Sequence, residues 1–237
     1  MVESEYKTIK NIKKVYPSKT KYIVYRNPFN VQLGAKQKDK IKKMTKPENV
    51  SKFLSIDRSV RRTRTEIKDI MLCNKFDLFA TFTFAEDRQN MELCKLKMQW
   101  WLHSQQKIHG KFDYLIVPEF HKDGVSLHFH ALLRGYKGNI EDSGISKKKV
   151  VYKILSYKSG FSHAIKIDYN DGIEPLANYV TKYITKDMPQ LPGKKRYWVS
   201  RGLLRPVKTH NEHVPPIDMF TETYEDEHYT IHNFPNF

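Results

Sequence analysis

The sequence predicts an α+β fold, in which helices pack on one antiparallel sheet. Three observations lead to this prediction. Between residues 76 and 189, strand-like segments of aromatic and β-branched residues interchange with segments of helical periodicity. Two of the strand-like segments are joined by a short turn sequence, which is typical of an antiparallel hairpin. Hydrophobic residues make up 39% of the 237 residues, which is enough for a packed core.

The first half of this region predicts one strand, one helix and the hairpin. Residues 78–84 alternate in polarity and form the first strand, whereas residues 87–110 carry apolar side chains at mostly helical spacing and end at a glycine. Residues 114–119 and 126–133 are the two hairpin strands, joined by the turn sequence HKDG at residues 121–124.

The second half predicts a helix, a strand and a last helix. After a polar loop at residues 135–144, residues 146–157 are predicted as a helix and residues 163–167 as a strand. Pro175 opens the last helix and Pro189 ends it, because proline fits the first turn of a helix but not its interior. Residues 196–200 are predicted to add a short edge strand.

Charge divides the chain into three segments. Basic residues number 19 against 7 acidic residues in residues 1–70, 23 against 13 in residues 71–208, and none against 6 in residues 209–237. We interpret the segments as a basic N-terminal extension that touches a DNA backbone or covers the sheet, a folded central domain, and an acidic C-terminal tail without a recognisable fold.

The net charge of +16 predicts a polyanionic partner, with nucleic acid the first candidate. A basic surface that only confers solubility is the alternative. Two basic clusters are the expected contacts with DNA phosphates. They are Arg61, Arg62 and Arg64, and then Lys194, Lys195 and Arg196.

The cysteines and the apolar runs exclude several classes of protein. Cys73 and Cys94 form no CxxC pair, which argues against a disulfide scaffold and a cysteine zinc site. The first residues lack a hydrophobic signal region, and no apolar run approaches the roughly 20 residues that cross a bilayer. We therefore expect a cytoplasmic protein without a membrane partner.

His128 and His130 lie two residues apart on a predicted strand, so their side chains project from the same face. Because two imidazoles in an otherwise apolar strand need partners, the pair predicts half of a metal site. Glu119, near the end of the other hairpin strand, is the expected third ligand, with His121 and Asp123 as rivals. Two histidines and a carboxylate suit a divalent cation and leave positions open for phosphate and water.

The last predicted helix carries a repeated Tyr-x-x-Lys pattern. Spacings of three and four place Tyr179, Lys182, Tyr183 and Lys186 on one stripe, while the other stripe is apolar. The apolar stripe consists of Leu176, Val180, Ile184 and Met188. A lysine one turn from a tyrosine favours its phenolate or neutralises phosphate charge, so the pattern predicts paired nucleophiles rather than core aromatics.

Three motifs in this order resemble those of the HUH superfamily of rolling-circle replication initiators, in particular the two-tyrosine kind of small single-stranded DNA phages and some plasmids. The motifs are FATFTF at residues 79–84, HFH at residues 128–130 and YVTKY at residues 179–183. Residues 198–206, with Ser200, Gly202 and Leu203, also resemble the segment that follows the tyrosines in such initiators. The resemblance covers residues 76–206.

The resemblance implies a central five-stranded antiparallel sheet of RRM-like or ferredoxin-like shape, with the tyrosine helix facing the histidines. It also implies the reaction. His128, His130 and Glu119 would hold Mg²⁺ or Mn²⁺, and Tyr179 or Tyr183 would attack single-stranded origin DNA to give a 5′-phosphotyrosine and a free 3′-hydroxyl. The lysines Lys182 and Lys186 would assist the tyrosines.

The implied partners are a host polymerase, which extends the 3′-hydroxyl, and a separate helicase, because the chain has no GxxxxGKS/T phosphate loop. The implied location is the cytoplasm of a bacterial host. Two alternatives remain open. One is a single-tyrosine HUH transposase, and the other is a non-catalytic domain that grips single-stranded nucleic acid by aromatic stacking.

Overall fold

The structure is a computed structural model that describes residues 6–32, 48–146, 149–170, 172–185, 187–188 and 195–236. In chain order its strands are β1 (Tyr6–Val15), β2 (Lys19–Gln32), β3 (Leu78–Thr83), β4 (Asp113–Phe120), β5 (Leu127–Arg134), β6 (Ile140–Ser146), β7 (Lys149–Ile154), β8 (Ser162–Lys166), β9 (Trp198–Val199), β10 (Val207–His210), β11 (Glu222–Glu225) and β12 (Tyr229–Pro235). Its α-helices are α1 (Glu48–Cys73), α2 (Met91–His109) and α3 (Glu174–Lys182). Over these ranges no helix is long and apolar enough to cross a membrane.

The chain forms two compact units. The terminal unit combines Met1–Ser51 with Arg205–Phe237, and the central unit is Lys52–Leu204. These boundaries differ from the three segments predicted from charge, because strand pairing joins the two ends of the chain in one sheet.

The terminal unit contains an antiparallel sheet in the order β10-β1-β2-β12-β11, five strands among the residues described. Residues 209–237 were predicted to lack a recognisable fold, yet β12 pairs with β2 along most of its length. The sequence signal was weak because β11 is exposed throughout and shows no apolar alternation. Pairing across nearly the whole chain therefore decides this structure, rather than local pattern.

The central unit contains the sheet with the histidines, in the order β6-β7-β8-β3-β5-β4-β9. All of its pairings are antiparallel, which confirms the α+β class. In the described part of the chain this sheet has seven strands, whereas five were predicted. The predicted hairpin and the edge strand near residue 198 are confirmed.

The helix predicted for residues 146–157 is wrong, since β7 occupies Lys149–Ile154. Val151 and Ile154 are buried, and a spacing of three suits either a helix or a half-buried strand in so short a run. Pairing with β6 and β8 decides in favour of the strand. The polar loop predicted at residues 135–144 includes the start of β6, whose exposed residues lack an apolar face.

Both faces of the central sheet are covered, which separates alternate residues of each strand into two cores. One core joins Ala80, Phe82, Ile116, Phe129, Ala131 and Leu133 of the strands to Cys94, Met98, Trp101 and Leu102 of α2. The other joins Phe79, Leu115, Val117 and Leu132 to Ile67, Ile70 and Met71 of α1 and Ala177 and Val180 of α3. The alternation in β5 therefore places His128 and His130 on the side of α1 and α3.

Helix α1 was not predicted, because its segment was interpreted as part of a basic extension. The helix is 26 residues long, and its buried side chains Val60, Ile67 and Ile70 join the core on the histidine face. Charged residues on its exposed side obscured this apolar stripe. Helix α3 is shorter than predicted: it ends at Lys182, with Tyr183 as its C-cap residue, rather than continuing to Pro189.

We predict that Gly160→Ala destabilises the central unit. A Cβ at this position would lie 2.3 Å from the carbonyl oxygen of Thr83 and 2.9 Å from the backbone nitrogen of Ala85, so backbone must move. We expect a loss of about 1–3 kcal/mol in the free energy of unfolding, measured by denaturant titration. Lys158→Ala in the same loop is exposed and serves as the control. Equal unfolding midpoints for the two variants would contradict this close approach.

Candidate functional site

The β4–β5 hairpin places a carboxylate opposite two imidazoles. Glu119 lies directly across from His128 in the antiparallel register, and His130 projects from the same face one pair further along. The turn closes with a hydrogen bond from the Gly124 N–H to the His121 carbonyl at 2.8 Å. Gly124 has a φ of +73°, a conformation that glycine adopts without steric strain.

A single carboxylate oxygen bridges the two histidines. Glu119 Oε2 lies 2.6 Å from His128 Nε2 and 2.5 Å from His130 Nε2. The side chains are only 22%, 15% and 6% exposed for Glu119, His128 and His130, respectively. The three groups therefore satisfy one another in a largely desolvated site.

The electrostatics of this cluster favour its ligand-competent forms. Burial raises the pKa of Glu119, but hydrogen bonds from both histidines outweigh it and lower that pKa to about 2. Burial lowers the pKa of His130, and the nearby carboxylate only partly opposes this shift. At neutral pH Glu119 is therefore ionised and His130 is neutral, the forms in which each side chain binds a metal ion.

The donor set fits a divalent cation. One ligand atom from each of Glu119, His128 and His130 lies within 4.8 Å of the others, which is close enough to share one ion. Carboxylate oxygen with imidazole nitrogen is a donor set compatible with Mn²⁺ and, less favourably, with Mg²⁺, which prefers oxygen throughout.

The two rival third ligands have different surroundings. The Asp123 carboxylate accepts hydrogen bonds from the Ser126 and Val125 N–H groups and from the Ser126 hydroxyl, which lower its pKa to about 2. It therefore stabilises the hairpin turn. His121 is exposed, with its ring 5.8 Å from that of His128. Glu119 is thus the residue that the hairpin brings to both imidazoles.

Thr81 of β3 orients His130 from the other side. Its hydroxyl lies 3.1 Å from His130 Nδ1, the ring nitrogen that does not face Glu119. When Nε2 is the metal ligand, Nδ1 carries the proton and donates to Thr81 Oγ1, which fixes the ring. The Phe79 ring lies nearly parallel to His130, with centroids 5.5 Å apart.

Sequence reasoning assigned no individual role to Thr81, although it belongs to the motif at residues 79–84. A signal was available: Thr81 and Thr83 alternate with buried apolar residues, as His128 and His130 do. The direct pairing of Thr81 with His130 depends on strand order, which the sequence pattern did not specify.

The two tyrosines lie beside the His130 ring. Tyr183 stacks against it with centroids 4.7 Å apart, and Tyr179 lies edge-on at 6.5 Å. The predicted apolar stripe accounts for this placement, because Val180, Ile184 and Met188 are buried in the core on the same face. Helix α3 therefore lies on the sheet with both phenols turned toward the cluster.

The tyrosine rings also contact each other. Their centroids are 5.1 Å apart, and a hydrogen bond joins the two hydroxyl groups. Burial, this hydrogen bond and the Glu119 charge raise the pKa of Tyr183. In this arrangement Tyr183 is a neutral phenol at physiological pH.

The predicted lysines fall in different places. Lys182 is exposed on the last turn of α3. Lys186 and Lys194 lie outside the described residues. Lys195 is exposed, with its Nζ 3.9 Å from the Glu66 carboxylate and 5.4 Å from the centre of the Tyr197 ring.

The predicted arginines include exposed and buried side chains. Arg61 forms an ion pair with Asp57, and Arg62 is exposed. Arg64 donates from Nε to the Ile184 carbonyl at 2.9 Å. Arg196 is only 7% exposed, and burial lowers its pKa, which is unlike the solvent-facing phosphate contact expected.

The segment at residues 198–206 lies at the opposite end of the strands from Glu119. The Ser200 hydroxyl donates to Asp113 at 2.7 Å, and Asp113 is also paired with Arg134. The Gly202 carbonyl accepts from Arg134 at 3.3 Å. This segment therefore joins the start of β4 to the end of β5.

Residues 77–188 match a family of replication-associated proteins, described by its ORF2 members. The matched range includes Glu119, both histidines and both tyrosines. Neither the curated proteins nor the solved structures gave a match. The similarity supports a replication-associated protein of the Rep type, acting in DNA replication.

We predict that the three clustered side chains are required for Mn²⁺ binding. His128→Ala, His130→Ala and Glu119→Gln should each lower Mn²⁺ affinity by more than about 100-fold, the upper end of the effect of losing an orienting partner. Isothermal titration calorimetry measures this, and wild type should bind Mn²⁺ more tightly than Mg²⁺. His103→Ala, an exposed residue of α2, is the matched control. Binding lost in Asp123→Ala or His121→Ala but kept in Glu119→Gln would show that the third ligand is wrong.

We predict that Thr81→Val lowers Mn²⁺ affinity by about 10- to 100-fold, because His130 loses the acceptor that fixes its tautomer. Valine has nearly the shape of threonine, so the core is preserved. Thr83→Val is the matched control on the same face, where the hydroxyl bonds to the Phe161 carbonyl instead. Equal calorimetric affinities for the two variants would remove the orienting role of Thr81.

Proposed function

We propose that this protein is a two-tyrosine HUH replication initiator that nicks single-stranded origin DNA and remains joined to the cut 5′ end. The observation that carries this proposal is the position of the tyrosines: Tyr183 and Tyr179 lie 4.7 and 6.5 Å from the His130 ring, by centroid distance, beside a carboxylate–imidazole cluster. A core aromatic needs no metal-ligand cluster, and a structural metal site needs no pair of phenols.

The proposed reaction exchanges one phosphodiester for another. The phenolic oxygen of one tyrosine attacks the scissile phosphorus and loses its proton, while the bond between phosphorus and the 3′-oxygen breaks and that oxygen is protonated. The products are a 5′-phosphotyrosine and a free 3′-hydroxyl. Since the number and kind of phosphate ester bonds are nearly conserved, no nucleoside triphosphate is needed.

Glu119, His128 and His130 would hold Mg²⁺ or Mn²⁺ in this reaction. The ion, when bound, polarises the phosphate and offsets the charge that develops on it. Thr81 keeps His130 oriented, and α3 keeps both phenols next to the cluster. Tyr179 is 45% exposed, which leaves its ring accessible to a DNA strand.

The presence of both phenols in one site distinguishes the proposal from a single-tyrosine transposase. After the first attack, the second tyrosine can attack the regenerated origin, so that the first strand end is released and joined. The hydrogen bond between the two hydroxyl groups must break for either to reach a phosphate. The basic charge of the chain favours a DNA substrate, and a separate helicase and a host polymerase complete the proposed cycle.

We predict a covalent DNA adduct that depends on metal. Single-stranded oligonucleotides that tile the DNA around the coding sequence, labelled at the 3′ end, should form an adduct in Mn²⁺ that survives denaturing electrophoresis and is absent in EDTA. Tyr179→Phe and Tyr183→Phe should each retain part of the adduct, because the other phenol lies beside the same histidine. The double variant should form none.

Tyr169→Phe controls for loss of a phenol, because Tyr169 bonds to the Phe76 backbone elsewhere in the central unit. Strand transfer should decrease in both single variants, since it needs both nucleophiles. Wild-type behaviour of one single variant and inactivity of the other would indicate a one-tyrosine enzyme. Strong binding without any adduct would favour the non-catalytic alternative.

A further inference from the structure

Helix α3 depends on its neighbours for its position. It is nine residues long, and its N-cap residue, Ile173, makes no side-chain capping bond. Isolated helices shorter than about 12–15 residues are marginal in water, so packing and polar contacts must hold this one in place. The positions of both tyrosines therefore depend on what contacts the segment from outside.

Helix α1 supplies these contacts at both ends of the tyrosine segment. Lys68 donates to the Asn178 side chain at 2.7 Å, and Asn178 directly precedes Tyr179. Arg64 donates from Nε to the carbonyl of Ile184 at 2.9 Å, and Ile184 directly follows Tyr183. The two hydrogen bonds thus bracket the pair of nucleophiles.

The apolar contacts of α1 alone do not fix the segment to the same degree. Ile67 and Ile70 share a core with Val180 and Ile184, but such packing is not directional. Hydrogen bonds from charged donors are directional and stronger than neutral ones, so they select one position along the helix.

The two tyrosines differ in their dependence on α1. Tyr179 lies inside α3, where backbone hydrogen bonds on either side hold it. Tyr183 is the C-cap residue, and after it the backbone closes short turns, from the Ile184 N–H to the Thr181 carbonyl and from the Thr185 N–H to the Tyr183 carbonyl. The bond from Arg64 is therefore a main restraint on the chain just after Tyr183.

We propose that Arg64 and Lys68 are positioning residues that set the choice between the two nucleophiles, with Arg64 favouring Tyr183 and Lys68 favouring Tyr179. This inference rests on the proposed function. It assigns Arg64 a role other than the phosphate contact predicted from the basic cluster at residues 61–64.

The test measures which tyrosine carries the DNA. Trypsin cleaves after Lys182 and so separates Tyr179 and Tyr183 into different peptides, whose adducts mass spectrometry can quantify. Arg64→Met keeps an unbranched stem but removes the donor, and should lower the ratio of Tyr183 to Tyr179 adduct by about 2- to 12-fold, the effect of one hydrogen bond of ordinary net strength. Lys68→Met should change the ratio in the opposite direction.

Arg58→Met is the matched control, because Arg58 is an exposed arginine of the same helix. It should leave the ratio unchanged. Arg64→Lys should restore part of the wild-type ratio, since lysine can still donate to the carbonyl. Mn²⁺ affinity and the unfolding midpoint should be the same in Arg64→Met and Arg58→Met.

The outcomes separate this inference from the function on which it rests. If wild type forms no adduct, the proposed function fails. If the adduct forms but the ratio is the same in Arg64→Met and wild type, the positioning role is overturned. An unchanged ratio with weaker DNA binding, and a salt slope smaller by about one, would assign Arg64 to a phosphate contact.

Discussion

The candidate site depends on the pairing register of β4 and β5. In this register Glu119 is opposite His128, and both lie on the face covered by α1 and α3. A slip of one residue would turn His128 and His130 into the core under α2 and bring Phe129 to the other face, because side chains alternate along a strand. Phe129 is fully buried against Phe84 and Trp198, so the α2 core itself resists such a slip. The packing of one face thereby fixes the polar group on the other.

A carboxylate and two imidazoles in a largely buried place are stable only as a group. Each would lose hydration on burial without recovering it alone, whereas together they form two short hydrogen bonds and hold Glu119 ionised. The same arrangement suits a cation, which would replace the contacts between the ligands with contacts to itself. Helix α3 leaves this group beside two phenols instead of covering it with apolar side chains. Hydrophobic packing on this face of the sheet therefore surrounds the place where polar chemistry is proposed.

Sequence reasoning was most successful where the structure is decided by neighbours in the chain. Glu119 and His130 are 11 residues apart in one hairpin, so turn chemistry and alternation sufficed to bring them together on one face. The stripes of α3 were visible from spacing alone, although the helix ends sooner than proline placement suggested. The failures involve pairing between distant segments: β7 was interpreted as a helix, and the strands at both ends of the chain went unrecognised. Arg64 and Arg196 were grouped by charge, but whether an arginine contacts a carbonyl, the core or solvent is decided by tertiary structure.

The position of the helix end gives the two tyrosines unequal surroundings. Tyr179 belongs to the regular part of α3 and is nearly half exposed, while Tyr183 is at the C-cap, more buried and stacked on His130. A hydrogen bond between their hydroxyl groups means that moving one phenol alters the environment of the other. Such coupling suits a cycle in which the nucleophiles alternate, because release of one ring from the pair frees the second at the same time. It also explains why a short, externally held helix serves better than a long one: a small displacement against α1 suffices to exchange the ring that lies nearest the cluster.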